Sequence, residues 1–93
     1  MSMKNDNQNP ATEEHIHLRR MPVADALYLL DKYLDQAFIA NFRTVRVIHG
    51  KGTGVLKAAV REELIKHPLV RGYREAFIGE GDGGVTVVEL SLI

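Results

Sequence analysis

The sequence predicts an α/β fold, a two-layer α/β sandwich in which two helices cover a mixed four-stranded sheet. Three observations support this prediction. Strand-like and helix-like segments follow the order βαβαββ, a glycine-rich stretch joins a strand to a helix, and a second glycine loop separates the last two strands. Helices between strands favour parallel pairing, whereas a short glycine loop favours an antiparallel final pair.

Length and composition limit the class of protein. The 93 residues fit one domain, and the 12 Lys and Arg residues balance the 12 Asp and Glu residues. A neutral chain does not bind a polyanion through its overall field, so such binding would need a local site. No apolar run approaches the roughly eighteen residues of a membrane span, and no signal peptide is visible. Cysteine is absent, which excludes disulfides, thiolate zinc sites and cysteine nucleophiles, and we expect a cytoplasmic location.

The first half of the chain is predicted to contain an arm, a strand and a helix. Residues 1–13 are polar and rich in Asn, which predicts a disordered arm before a folded domain at 14–93. The alternating run 15–19 predicts the first strand. Apolar residues recur every three or four positions from Val23 to Phe38, after a proline suited to a first helical turn. Asn41 tolerates the left-handed conformation that commonly ends a helix.

The second half is predicted to add three strands and a helix. Residues 44–48 predict the second strand. The second helix begins near Val55 and ends at His67, because the residue before a proline is driven out of helical geometry. Strands are predicted over 70–77 and, with many β-branched residues, over 85–92.

The stretch between the second strand and the second helix is the most informative part of the sequence. Gly50, Gly52 and Gly54 let the backbone turn sharply and approach a ligand closely. The amides that begin the following helix suit a phosphate, Lys51 adds positive charge, and Thr53 can cap the helix or donate to an anion. The spacing matches neither GxxxxGKS/T nor GxGxxG, which disfavours ATP or NAD as a cofactor. A tight turn that only requires small residues is the alternative.

Basic side chains are predicted to surround this loop. His49 ends the second strand, where it can act as a general acid or base, or shape the loop through a hydrogen bond. Parallel pairing of the first two strands would bring Arg19 near His49, and a guanidinium binds phosphate oxygens bidentately. A solvated basic pair, Arg19 with Arg20, is the alternative. His15 and His17 share one face of the first strand, but no third metal ligand is visible, so we interpret them as exposed strand histidines.

Taken together, these segments resemble the Smr, or small MutS-related, domain. The resemblance rests on the strand 16–19, the helix opening 22–27, the HGxG signature with its flanks at 47–56, the segment 67–70, and the acidic glycine loop before the last strand. It covers about residues 14–92. It implies a fold similar to the C-terminal domain of bacterial initiation factor three, found alone or at the end of the second bacterial MutS lineage. Members are associated with DNA nicking, RNA cleavage and the handling of stalled ribosomes.

The resemblance implies an endonuclease with two site segments, an LDxR or LDxH strand motif and the HGxG loop. By position, it implies catalytic roles for His49, Arg19 and His17. It implies nucleic-acid contacts by Gly50, Lys51, Gly52, Thr53, Gly54 and Arg20.

Two positions depart from the family pattern. His17 stands where the family usually has Asp, and Arg20 where it commonly has Gly. An imidazole cannot replace a carboxylate as an anion, which puts cleavage in doubt but leaves binding intact. The alternatives are therefore an endonuclease, a non-catalytic module that binds DNA, RNA or the ribosome, and a protein-interaction domain with a structural glycine loop. DNA versus RNA and a role for Mg²⁺ or Mn²⁺ stay open.

Overall fold

The computed structural model describes residues 10–77, 79 and 83–91. In these ranges the elements are β1 (His15–His17), α1 (Val23–Ile39), β2 (Thr44–Ile48), α2 (Val55–Lys66), β3 (Val70–Glu75) and β4 (Val85–Leu90). The predicted order βαβαββ is confirmed. Most of the predicted arm, the centre of the acidic glycine loop and Leu92, the last residue of the predicted fourth strand, lie outside the described residues.

The four strands form one mixed sheet in the order β1-β2-β4-β3. β1 is parallel to β2, with His17 opposite Ile48. β4 is antiparallel to both β2 and β3. This confirms the predicted mixed sheet and the antiparallel final pair.

Three strands end earlier than the sequence predicts, including β4, which ends at Leu90 before the described Ser91. β1 ends at His17 rather than Arg19, because the chain turns after Leu18: the amide of Met21 donates to the Leu18 carbonyl at 3.1 Å, and Arg20 has a φ of 67°. β3 ends at Glu75 rather than residue 77. The early end of β1 moves Arg19 out of the strand and into the loop before α1.

Both helices pack against one face of the sheet. The apolar stripe predicted for α1 is confirmed, because Ala26, Leu30, Leu34 and Ala37 are all completely buried. α2 contributes Val60 and Leu64, and the strands contribute Val45, Val47, Val88 and Leu90. Full burial of one such aliphatic side chain contributes about 1.5–3 kcal/mol. The opposite face of the sheet holds a smaller cluster, formed by Ile48, Ala76, Val85 and Val87.

The segment just before β1 is held against α1. The amide of Ala11 donates to the Gln36 carbonyl at 3.0 Å, and the buried Tyr33 hydroxyl donates to the Glu13 carbonyl at 2.7 Å. The amide of Arg46 donates to the Glu14 carbonyl at 2.9 Å. Ala11 and Glu13 therefore contact the domain although the sequence assigns them to the arm, and the buried phenol of Tyr33 gains its acceptor in this way.

Candidate functional site at the glycine loop

The glycine loop makes a sharp turn from β2 into α2. Gly50, Gly52 and Gly54 have φ values of 80°, 36° and 89°, a region that side-chain-bearing residues rarely adopt. Gly54 is the N-cap residue of α2 and supplies no capping side chain. The Thr53 hydroxyl instead accepts from the Val55 amide over a long 3.4 Å. The first amides of α2 otherwise have no acceptor within the helix, as at any helix start.

Arg19 lies directly against this loop. A Cβ atom added to Gly50 would come within 3.1 Å of Arg19 Cγ and 3.6 Å of its Nε. Parallel pairing of β1 and β2 therefore brings Arg19 beside the residues 49 and 50, as the sequence predicts. Arg19 as a whole is exposed.

The loop is anchored to β4 through its own backbone. The amides of His49 and Gly50 both donate to the Gly84 carbonyl, at 3.0 and 2.9 Å. The Gly50 amide is thus used inside the protein. Among the nucleic-acid contacts expected at residues 50–54, the Gly50 amide is therefore already paired, and only the amides after Gly50 can take part.

His49 is buried, with 4% of its surface exposed, and both of its ring nitrogens are engaged. Nδ1 lies 2.9 Å from the Gly50 carbonyl oxygen, and Nε2 lies 2.9 Å from Thr86 Oγ1. A carbonyl can only accept, so Nδ1 carries the proton and donates it. In a neutral ring Nε2 then accepts from the Thr86 hydroxyl. This pattern satisfies every group with the imidazole uncharged.

The Thr86 hydroxyl connects His49 to a charged cluster. It accepts from Arg61 Nε at 3.3 Å, while the Arg61 guanidinium also pairs with Glu75. The second Glu75 oxygen accepts from Lys57 Nζ at 3.0 Å. The network therefore links the glycine loop to α2, β3 and β4. Its members Thr86, Arg61 and Glu75 were not among the residues predicted from sequence. The signal that could have found them was a polar residue, Thr86, inside the β-branched fourth strand.

The pKa of His49 is lowered from its ordinary value mainly by burial. The positive charges of Lys57 and Arg61 act in the same direction, and the bond to the Gly50 carbonyl opposes them. Lys57 and Arg61 also lower the pKa of Glu75 by hydrogen bonding to its carboxylate. Of the two roles expected for His49, the geometry favours shaping the loop over proton exchange with a ligand.

The loop forms one wall of a cleft of about 830 Å³. The other walls are the β1–α1 connection, residues 19–23, and the start of β4 at residues 84 and 85. Four basic side chains line the cleft: Arg19, Arg20, Lys51 and Lys57. None of its lining residues in the described ranges is acidic. The structure thus brings together eight of the nine residues predicted for the site, namely Arg19, Arg20, His49, Gly50, Lys51, Gly52, Thr53 and Gly54.

The ninth predicted residue, His17, lies beside the cleft rather than in its lining. It is exposed and pairs in register with Ile48, a lining residue. Its ring packs edge-on against His15, with the centroids 5.1 Å apart. Among the described residues, no three His, Asp or Glu side chains converge as metal ligands. His67, given no function from sequence, lies 3.1 Å from Asp31 Oδ1 and joins the two helices.

Comparison with known proteins decides the family. The family model that describes the Smr domain matches residues 16–91 of this chain. The chain belongs to the Smr domain family. It is 51% identical over 78 residues to the endonuclease MutS2 of Clostridium tetani, and 51% identical over 75 residues to that of Caldicellulosiruptor saccharolyticus. These alignments cover 84% and 81% of this chain. The chain spans about 10% of the length of these relatives.

Two solved Smr-related structures share the fold. The Smr domain of Thermus thermophilus MutS2 is 43% identical and superposes with a TM-score of 0.81, covering 83% of this chain and 96% of that domain. YdaL, a stand-alone small MutS-related protein from Escherichia coli, is 25% identical with a TM-score of 0.80, covering 88% and 67% of the two chains. Within the described ranges, no helix of this Smr domain is long and apolar enough to cross a bilayer.

Proposed function

We propose that this Smr domain binds nucleic acid in the cleft between the glycine loop and residues 19–23, and that it cleaves a phosphodiester there as an endonuclease. One observation is the main support: four basic side chains share a cleft whose described lining contains no carboxylate. In a chain of zero net charge, such a cluster is a local anion site rather than a general surplus.

The basic side chains differ in what they offer a phosphate. The aliphatic part of Arg19 lies beside Gly50, and its guanidinium can bind two phosphate oxygens at once. Arg20 and Lys51 are exposed at the rim of the cleft. Lys57 forms an ion pair with Glu75, which reduces its contribution to phosphate binding. Arg19 is therefore the principal phosphate ligand in this proposal.

In the proposed cleavage step, Arg19 stabilises the negative charge that develops on the reacting phosphate. His49 is a positioning residue, since its ring nitrogens are engaged by Gly50 and Thr86. The base is His17, which is exposed beside the cleft and accepts a proton from the attacking water. The oxygen of water bonds to phosphorus, the bond to the leaving sugar oxygen breaks, and that oxygen takes a proton from solvent. Whether Mg²⁺ or Mn²⁺ assists is part of the test.

A second candidate is a non-catalytic module that binds DNA, RNA or the ribosome through the same cleft. The specific observation in its favour is that His49 has no ring nitrogen available and that His17 does not line the cleft. The relatives named endonuclease MutS2 favour cleavage.

The experiment is to incubate the purified protein with supercoiled plasmid and with end-labelled RNA, each with Mg²⁺, Mn²⁺ or EDTA. Arg19→Ala and His17→Ala are compared with Arg43→Ala, an exposed arginine before β2 and outside the cleft. We expect cleavage to disappear in Arg19→Ala, to fall in His17→Ala and to persist in Arg43→Ala.

Binding is measured in parallel as a function of salt. Affinity should fall as salt rises, and Arg19→Ala should reduce the slope of log affinity against log salt by about one unit. Salt-dependent binding without cleavage establishes the second candidate. Affinity that is indifferent both to salt and to Arg19→Ala contradicts both.

A further inference from the structure

The cleft has two chemically different parts. Basic side chains occupy its rim, whereas aliphatic side chains form much of its wall, namely Met21, Pro22, Val23, Ile48, Val55, Leu56 and Val85. Val55 is 62% exposed although it is apolar, and it lines the cleft at the start of α2. Phosphate binding alone needs no apolar wall, so the wall has to contact a different part of the ligand.

Paired and unpaired nucleic acids differ in what they can offer such a wall. In a duplex the bases are stacked, and their faces are inaccessible to side chains unless a nucleotide leaves the stack. An unpaired nucleotide presents an apolar base face next to its own phosphate. A cleft of about 830 Å³ also falls in the range of pockets that enclose most of a nucleotide-sized molecule.

The wall is aliphatic rather than aromatic. No Phe, Tyr or Trp lines the cleft within the described part of the chain. The His49 ring is buried, and both of its nitrogens are hydrogen-bonded to the protein. Aliphatic groups contact a base face without reading its hydrogen-bonding edge. Recognition by this wall should therefore tolerate all four bases.

We propose that the cleft holds one unpaired nucleotide, with its phosphates on Arg19 and Lys51 and its base against the aliphatic wall around Val55. The domain then prefers single-stranded or locally unpaired nucleic acid to a fully paired duplex. This inference rests on the proposed binding function and adds the class of substrate.

The test measures fluorescence anisotropy with three probes of equal length at one salt concentration. The probes are a labelled oligo-dT, a labelled blunt duplex, and a base-free strand that keeps the same phosphates. We expect oligo-dT to bind at least about tenfold more tightly than the duplex, because only its bases reach the wall. The base-free strand should bind no more tightly than the duplex.

A matched pair of variants tests the wall itself. Val55→Ser should weaken oligo-dT binding about fivefold while leaving duplex binding and the salt slope unchanged, since it removes apolar contact but no charge. Ile65 lies on the same helix, is 72% exposed and does not line the cleft. Ile65→Ser should therefore change neither oligo-dT binding nor duplex binding. Equal affinity for all three probes overturns this inference and leaves the proposed function intact. Binding to none of them overturns both.

Discussion

At the scale of single residues, the hydrogen bonds of His49 favour a neutral ring. Its Nδ1–H donates to the Gly50 carbonyl, and its Nε2 accepts from Thr86. A protonated ring would donate to the Thr86 oxygen, as Arg61 does, and the Thr86 hydroxyl proton would then lose its acceptor on His49. The histidine of the HGxG signature is thus a structural link between the loop and β4 in this protein.

Thr86→Val tests this link at its buried centre. Thr86 has no exposed surface, and valine has almost the same shape. The change leaves His49 Nε2 without a donor and Arg61 Nε without an acceptor. We expect the free energy of unfolding to fall by about 1–3 kcal/mol, measured by urea denaturation. Thr86→Ser keeps the hydroxyl, so its free energy of unfolding should fall clearly less. An equal fall in the two variants would show that the methyl group, not the hydroxyl, stabilises the domain.

At the scale of elements, the glycine loop and the β1–α1 connection form one surface. Arg19 packs onto Gly50, and the parallel pairing of β1 with β2 sets the distance between them. The backbone of the loop is at the same time fixed to Gly84 at the start of β4. A change in the loop should therefore alter the position of Arg19, which we propose to bind phosphate.

Gly50→Ala tests the contact between the two elements. A residue with a side chain is strained at a φ of 80°, and its Cβ would meet Arg19 Cγ at 3.1 Å. We expect a loss of about 1–2 kcal/mol in stability and a weaker affinity for nucleic acid. Denaturation and anisotropy measure the two effects. Gly72→Ala in β3 is the control, because no atom lies within 4 Å of the added carbon; similar losses in both variants would exclude a specific contact with Arg19.

At the scale of the whole molecule, His49 and Glu75 make the stability of the domain fall in acid. The folded state lowers the pKa of His49 by burial, so the unfolded chain takes up this proton first as the pH falls. The lowered pKa of Glu75 works in the same direction, but only below its ordinary value of 4.5. Acid should therefore destabilise the domain in two steps.

The first step can be isolated with His49→Asn. In the wild type, the contribution of His49 is complete above its unfolded pKa of about 6.5 and is lost as the pH falls below it. We expect the free energy of unfolding to decline more steeply between pH 7.5 and 5.5 in the wild type than in His49→Asn, measured by urea titrations across that range. The other histidines are common to both proteins and cancel in the difference. Parallel curves would contradict the role given to His49.

Local features of the fold were predictable because they depend on neighbours in sequence. The helical stripe of α1 follows from residue spacing, and the left-handed Asn41, with a φ of 66°, follows from the demands of a helix end. The positive φ of Arg20 was not foreseen, although the resemblance implied that glycine is common at this position. The conformation of that turn explains the preference, since glycine adopts it without steric cost.

The sequence by itself determined the order of the elements, the mixed sheet and the family, and it identified eight of the residues that line the cleft. Only the tertiary structure decided what His49 does. Its partner Thr86 is 37 positions away and becomes a neighbour through the pairing of β2 with β4. Likewise, Ala11 and Glu13 join the domain through contacts with α1. Spacing along the chain predicts elements, but a buried hydrogen bond between distant strands depends on register, which the packed sheet alone defines.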